Sequence, residues 1–224
     1  MKEFLRNKTW IGFGVVVLFF FILYLFLLRH WALSWGATSS EETMALPGDD
    51  RVPRARMLVT RAITLPAPPE KVWPWLVQIG TKRAGWYSYD WLDNGGRPSA
   101  REILPPFQHL KIGDNIPASG DGSFGFPVVM LEKNRVLGLG GMLDFQKSTS
   151  FRAEDPQPRK YMNALWVMVL QPLGKDQTRF LVRYRMDYQP AFPGCLAQAF
   201  LEPVHFIMER KMLLELQKRV SAVK

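Results

Sequence analysis

Residues 56–76 read RMLVTRAITLPAPPEKVWPWL and carry the clearest structural signal in the chain. Residues 57–65 alternate between two sets of side chains, the pattern of a strand with one buried face. Pro68, Pro69 and Glu70 then stand where a helix begins, and apolar residues recur at helical spacing up to Gly80. Because Pro74 interrupts an early turn, the sequence predicts a strand followed by a short or kinked helix.

Downstream, the sequence predicts two hairpins and a long terminal helix. Apolar alternation marks four strands, at 126–131, 135–139, 161–171 and 178–188, with turn residues between the members of each pair. Residues 191–223 carry an apolar helical stripe, and Pro203 allows a kink in this helix. A half-apolar sheet and such a helix must bury their apolar faces against each other. We therefore expect an α+β fold, with a curved antiparallel sheet wrapped on the long C-terminal helix.

An apolar run precedes this domain. Residues 11–28 are 18 uncharged residues, about 27 Å of helix at about 1.5 Å per residue, close to a hydrocarbon core. Trp10 and Trp31 stand just outside the run, where indole rings favour the interface. The run predicts one transmembrane helix, and a cleaved signal peptide is the alternative. A buried soluble helix fits less well.

Charge and turn residues divide the chain further. Lys2, Arg6 and Lys8 precede the span and only Arg29 lies in the twenty residues after it, which favours a cytoplasmic N-terminus and a non-cytoplasmic C-terminal domain. The polar segment after the span contains Pro-Gly-Asp-Asp and no sustained periodicity. We expect an anchor over 1–30, a linker over 31–54 and one compact domain over 55–224.

Composition excludes several classes. The chain has 224 residues, 47% hydrophobic and 13% aromatic, which rules out a wholly disordered chain. Its single cysteine, Cys195, excludes an intramolecular disulfide and a thiolate zinc cluster. The net charge of +9 comes from dispersed basic residues, so we expect no nucleic-acid partner. Hydrolase and NTPase motifs do not occur.

The order of strand, APPEKVW helix, hairpins and terminal helix resembles the SRPBCC superfamily, which includes START-like, Bet v 1-like, polyketide cyclase and lipid-transport proteins. The residues that carry the resemblance are 63–76 and 202–212, and it covers about residues 55 to 220. It implies a helix-grip fold with a cavity for a hydrophobic molecule between sheet and helix. It supplies no catalytic residues, and fold alone does not give function.

The resemblance directs attention to the residues that would line such a cavity. Apolar pockets with few polar anchors are typical ligand sites, and methionine suits an adaptable wall. The predicted ligand-binding residues are Tyr87, Tyr89, Asp90, Trp166, Met168, Phe180, Val182, Tyr184, Met186 and His205. Tyr188 belongs to the same strand face. For each strand residue, ordinary core packing is the competing interpretation.

His205 and Asp90 are the candidates for acid–base chemistry. Glu202 and Glu209 stand three residues before and four after His205, so the three can share a helical face. A carboxylate beside an imidazole can orient it as a base. The alternatives are a surface ion-pair ladder and a histidine that is simply held by packing. Asp90 lies among aromatic residues and either anchors a ligand or caps a short helix.

The sequence points to no metal site and no cofactor, because one Glu-x-x-His unit falls short of paired metal motifs. The glycines at 138, 140 and 141 follow a strand without the full phosphate-loop spacing, so we expect a turn or bulge there. The leading hypothesis is non-catalytic binding of a hydrophobic small molecule or lipid by a membrane-anchored domain. A cyclase or hydratase-type enzyme is the first alternative, and a membrane-associated interaction module is the second.

Overall fold

A computed structural model of the chain describes residues 15–17, 19–147, 149–151 and 155–222. It shows an α+β fold in which an antiparallel sheet curves around a long C-terminal helix, as the sequence predicts. An apolar helix lies at the N-terminal side. The basic residues at 2, 6 and 8 and Trp10 lie outside the described residues.

The helices are α1 (Val15–Leu33), α2 (Ser39–Thr43), α3 (Pro69–Val77), α4 (Asp90–Asp93) and α5 (Ala191–Ala222). The strands are β1 (Met57–Leu65), β2 (Asn115–Pro117), β3 (Gly125–Glu132), β4 (Val136–Asp144), β5 (Thr149–Phe151), β6 (Tyr161–Leu173) and β7 (Gln177–Gln189). The sheet order is β1-β7-β6-β4-β3-β2, and β5 pairs with β4. The predicted hairpins are confirmed as β3–β4 and β6–β7, which both pair antiparallel.

The sequence predicts a turn or bulge at the glycine cluster, and the structure shows a register shift in the β3–β4 pairing opposite Gly138 and Leu139 but no turn. Strand β4 continues through Gly138, Gly140 and Gly141 in unbroken register with β6, so these residues form no turn. A Cβ atom on Gly140 would collide with the carbonyl oxygen of Ala164 on the neighbouring strand. Glycine is therefore required there for the close approach of β4 to β6.

The inner face of the sheet packs against α3 and α5. One end of this space is filled by fully buried side chains such as Leu137, Met168 and Phe180, together with Trp75 of α3 and Leu213 of α5. Pro69 opens α3 and Pro74 lies inside it, as the sequence indicates. These contacts hold the second half of α5 against the sheet.

The outer face of the sheet is covered by residues 37–55, which we call the strap. The sequence predicts a linker here, but the segment lies along the sheet and contributes Leu46 and Val52 to a second buried cluster with Leu181. Its helix α2 begins with a complete capping box between Thr38 and Glu41. The strap is ordered because charged side chains of β7 bind it along its length.

Three arginines of β7 make those contacts. Arg183 is 3% exposed and donates to the carbonyl oxygens of Glu41, Glu42 and Met44 and to Asp49. Arg179 donates twice to Glu41, and Arg185 donates to the Val52 carbonyl oxygen. The charged face of β7 is thus a binding surface for the chain's own backbone.

Helix α1 is long and apolar enough to cross a membrane, and only 6% of its most apolar 18-residue segment is buried. A signal sequence near an N-terminus has the same length and composition. Residues 11–14 of the predicted span lie outside the described residues. Tyr24–Leu28 form one π-helical stretch within α1, a feature often found where a helix is adapted to a neighbour or a site.

Candidate functional site between the sheet and the C-terminal helix

A buried ion pair joins β1 to α5. Arg61 donates from Nη1 to Oε2 of Glu209 at 2.5 Å and from Nε to the carbonyl oxygen of Ala32 at 2.7 Å. The side chains of the pair are 0% and 1% exposed. Nη2 of Arg61 has no hydrogen-bond partner among the described residues. The guanidinium also lies over the Phe206 ring, 5.1 Å from its centroid.

Trp166 of β6 holds the other oxygen of the same carboxylate. Its indole Nε1 donates to Oε1 of Glu209 at 2.8 Å. Its ring stacks on Trp86 at 5.9 Å between centroids and meets Phe126 edge-on at 6.0 Å. Aromatic contacts of this kind fix ring orientation. Trp166 is therefore fixed by its neighbours yet remains partly exposed.

His205 lies beside this pair on α5. Nη1 of Arg61 is 3.3 Å from Nδ1 of His205, and because a guanidinium can only donate, Nδ1 is the acceptor. The proton of the neutral ring is therefore on Nε2, 3.9 Å from Glu209 and beyond hydrogen-bond distance. Burial lowers the pKa of His205, with Glu209 opposing and Arg61 assisting. The ring is neutral near pH 7 and presents an Nε2–H donor.

Tyr184 of β7 faces the same imidazole, with 5.3 Å between ring centroids. Its hydroxyl donates to the sulfur of Met186 at 3.4 Å, a weak acceptor. Burial, and then the Glu209 carboxylate, raise the pKa of Tyr184 to about 12. The phenol therefore stays protonated and can still accept a hydrogen bond.

The predicted strand residues divide into two groups. Met168, Phe180, Val182 and Met186 share the inner face with Trp166 and Tyr184, but each is no more than 1% exposed and belongs to the packed core. Trp166, Tyr184 and His205 are partly exposed, and 32% of the His205 side chain remains accessible. The inner face is thus tightly packed at one end, whereas these three residues lie where the side chains are only partly buried.

The loop candidates lie elsewhere. Tyr87 is 1% exposed, and its hydroxyl accepts from Gln78 and donates to the Trp75 carbonyl oxygen. Burial raises the pKa of Tyr87. Its side-chain hydrogen bonds are committed to the core, so the structure does not bring Tyr87 into the His205 cluster.

Asp90 and Tyr89 open the short helix α4. Asp90 accepts from the hydroxyl of Ser99 at 2.5 Å, and Tyr89 packs edge-on against Trp91 at 6.5 Å. Within the described residues, no hydrogen bond or ion pair joins Asp90 to His205. Ser88, two residues earlier, does reach α5, where its hydroxyl donates to the carbonyl oxygen of Met208.

Two charged residues with buried side-chain atoms, Arg61 in this cluster and Asp93 on α4, were not predicted from the sequence. Arg61 stands on the apolar side of the β1 alternation, between Val59 and Ile63, and a charge at such a position signals a buried partner. Asp93 of α4 was not singled out, although burial, and then Asp90, raise its pKa to about 6 against an opposing contribution from Ser88.

The expected surface ladder on α5 is wrong. Glu202 and Glu209 are both 3% exposed, and each pairs with an arginine far away in the sequence, Arg29 for the first and Arg61 for the second. Buried charges are found where a partner and further hydrogen bonds compensate them. These glutamates therefore tie α5 to α1 and β1.

Other described features fit a site less well. A cleft of about 410 Å³ lies beside the strap and includes Leu46 and Val169, and a second of about 620 Å³ lies beside the end of α5 and includes Gln217. Both open to solvent, and neither contains a predicted site residue. Among the described residues, no group of three or more His, Cys, Asp or Glu side chains could hold a metal ion.

No protein family profile matches this chain, and no curated protein matches it. Among solved structures, it is similar to a protein from Nitrosomonas europaea, with 16% identity, 75% of this chain and 96% of that chain covered, and a TM-score of 0.45. A protein from Mesorhizobium loti is 14% identical, with 75% of this chain and 99% of that chain covered and a TM-score of 0.41. An HSP90 activator from Plasmodium falciparum is 14% identical, with 58% of this chain and 72% of that chain covered and a TM-score of 0.34. At these values the function must be argued from the site of this chain.

Proposed function

We propose that this protein is a membrane-anchored, SRPBCC-like domain that binds a hydrophobic small molecule or lipid between its sheet and α5, without chemistry. The observation that carries the proposal is the partly exposed cluster of Trp166, Tyr184 and His205 beside the fully buried inner-face residues. An apolar recess with a few fixed polar groups is the common form of a ligand site.

The polar groups indicate which end of the ligand they bind. Arg61 and Glu209 neutralise each other, while His205 Nε2–H and the Tyr184 hydroxyl remain as neutral hydrogen-bonding groups. Such a set suits a carbonyl, ester or hydroxyl oxygen. A cationic head group would meet no unpaired carboxylate in this cluster. The ligand is therefore a mostly apolar molecule with one acceptor oxygen.

The resemblance of residues 63–76 and 202–212 to SRPBCC proteins supports the same proposal, since a hydrophobic cavity is the habit of that superfamily. Membrane anchoring through residues 11–28 would raise the local concentration of an apolar ligand near the domain. The exposed apolar surface of α1 supports this anchor.

Mass spectrometry of extracted ligand tests the proposal. The protein is purified in a detergent, its bound small molecules are extracted, and the spectra are compared with those of the variant Ala164→Trp. Ala164 lies on the inner face opposite Met186, two residues from Trp166, and is partly exposed. An indole there should occupy the proposed ligand site. We expect a defined apolar species in the wild type and its loss from the variant.

The matched control is Leu173→Trp, at the exposed end of the same strand, where the side chain is 49% exposed. This variant should retain the ligand. If wild type, Ala164→Trp and Leu173→Trp all yield the same background lipids, the binding proposal is wrong.

An enzyme of the cyclase or hydratase type is the second candidate, favoured by the neutral His205 ring in the recess. His205 would act as the acid–base group. Asp90 is not used, because its carboxylate, at the start of α4, accepts a hydrogen bond from Ser99. Once the ligand is identified, incubation distinguishes the two. An enzyme converts it and loses turnover in His205→Gln, whereas a binding protein returns it unchanged.

The proposed topology places the domain on the non-cytoplasmic side. The test uses Lys175→Cys in a Cys195→Ser background, because Lys175 lies in the exposed β6–β7 turn. A membrane-impermeant maleimide should label it in intact cells. Labelling only after the inner membrane is permeabilised would reverse the topology.

A further inference from the structure

Helix α1 and the first half of α5 lie side by side. Phe21 stacks on Phe200 with 4.5 Å between ring centroids, and Trp31 meets Phe206 edge-on at 5.0 Å. Residue numbers rise together along both helices at these contacts, so the helices point the same way. Whatever depth α1 takes in a membrane, this part of α5 lies beside it.

The first half of α5 carries an exposed apolar stripe. Its members, Phe200, Leu201, Val204 and Ile207, are 45–55% exposed. At about 100° per residue they occupy one side of the helix, opposite Glu202, His205 and Glu209. The stripe adjoins the exposed apolar residues of α1, and surfaces of this extent are rare on soluble monomers.

The charges of α5 are divided in the same way. Between 191 and 208 the only charged side chain is Glu202, which is 3% exposed and bound by two 2.7 Å hydrogen bonds from Arg29. From 210 onward the helix is rich in basic residues, and in this half no large apolar side chain is exposed among the described residues. One half of the helix is suited to lipid and the other to water.

We propose that the outward face of residues 200–207 of α5 lies beside α1 in the half of the hydrocarbon layer that is nearer to the domain. The partner is lipid, because the stripe continues the surface by which α1 would contact lipid and exposes no charge. Arg210 and Lys211 then lie at the level of anionic head groups. The inference rests on the proposed membrane anchor and brings the recess around His205 next to the bilayer.

Depth-dependent quenching tests this placement. Single cysteines are introduced into a Cys195→Ser background at Val204, Ile207, Ile22 and Lys218, then labelled with an environment-sensitive fluorophore. The full-length proteins are reconstituted in vesicles of phosphatidylcholine and phosphatidylglycerol. Val204→Cys and Ile207→Cys report on the stripe, Ile22→Cys reports on α1, and Lys218→Cys is the control on the same helix.

We expect nitroxide groups on lipid acyl chains to quench the probes at 204, 207 and 22 several-fold more than the probe at 218. Aqueous iodide should show the reverse order. These positions are exposed, so each variant should keep the wild-type thermal transition.

Three results would separate the possibilities. If 204 and 207 behave like 218 while 22 is quenched by lipid, the proposal for α5 is wrong and the anchor stands. If the probe at 22 is quenched by iodide and not by the lipid nitroxides, the proposed membrane anchor is itself wrong. If 204 and 207 are shielded from both quenchers, protein covers the stripe, and lipid contact is overturned.

Discussion

Both faces of the sheet bury arginine, and the two faces use it differently. On the outer face, the guanidinium of Arg183 binds three backbone carbonyl oxygens, Thr60 and Asp49. On the inner face, Arg61 binds Glu209, Ala32 and His205, and its Nη2 has no partner among the described residues. The fully paired Arg183 holds the strap against the sheet, whereas Arg61 joins β1 to α5 beside the proposed ligand site.

The two networks differ in how completely their hydrogen-bonding groups are paired. Buried polar groups in proteins are nearly always paired, so an exception calls for an explanation. The outer-face network leaves no comparable donor on Arg179, Arg183 or Arg185 unpaired within the described residues. Substitutions on the two faces should therefore change different measurable properties.

The largest effect should come from Arg61→Met. It leaves the Glu209 carboxylate buried without its cation, which typically costs about 3–5 kcal/mol of unfolding free energy. Urea unfolding followed by tryptophan fluorescence measures the loss. The double variant Arg61→Met with Glu209→Gln should recover part of it, because it removes the uncompensated charge. A loss below about 1 kcal/mol in the single variant would show that the pair is hydrated.

Arg183→Met should have the next largest effect. It removes the donor that holds the strap, but the strap can lift and return its carbonyl groups to water, so we expect about 2–3 kcal/mol. Limited proteolysis should cut within residues 37–55 faster than in the wild type. The amount of ligand that co-purifies with the variant should equal that of the wild type. Loss of the ligand in this variant would remove the distinction between the two faces.

His205→Gln should reverse that pattern. Loss of the imidazole donor should weaken ligand binding about tenfold, equivalent to about 1.4 kcal/mol. The change in unfolding free energy should stay below about 1 kcal/mol, since the ring is partly exposed and carries no charge near pH 7. Ligand retained after gel filtration is the measurement, with His109→Gln at an exposed position as the control. Equal retention in both variants would exclude His205 as an anchor.

Glu41→Gln should have the smallest effect at neutral pH, because the Arg179–Glu41 pair is partly exposed and solvent screening keeps its contribution below about 1 kcal/mol. The hydrogen bonds from Arg179 hold the pKa of Glu41 at about 2, below its ordinary value of 4.5. A depressed carboxyl pKa stabilises the fold above the unfolded-state pKa, and this stability is lost as pH falls through the folded-state value. The wild type should therefore lose more stability than the variant between about pH 4.5 and pH 2. Parallel melting curves for the two would contradict the ion pair.

The secondary structure could largely be predicted from the sequence. The alternation in residues 57–65, the two hairpins and the helix from 191 onward are confirmed, because these signals are local and repeat with the period of the element. The same periodicity identified the inner faces of β6 and β7.

The site itself could be predicted only in part. Trp166, Tyr184 and His205 were named and do lie together, whereas Tyr87 is committed to the core and Asp90 to Ser99. Periodicity assigns a residue to a face but not to the filled or the open end of that face. That choice depends on how closely the helix approaches each strand.

Arg61 and Glu209 are separated by 148 positions and Arg183 and Glu42 by 141, and no local rule links residues at such distances. The sequence by itself determined the elements, their apolar faces and the apolar N-terminal segment, because these follow from neighbouring residues. Only the tertiary structure decided which buried charges meet, where the strap lies and which half of α5 faces outward. Those outcomes depend on the joint packing of distant segments, because a buried charge is stable only where the fold places its partner beside it.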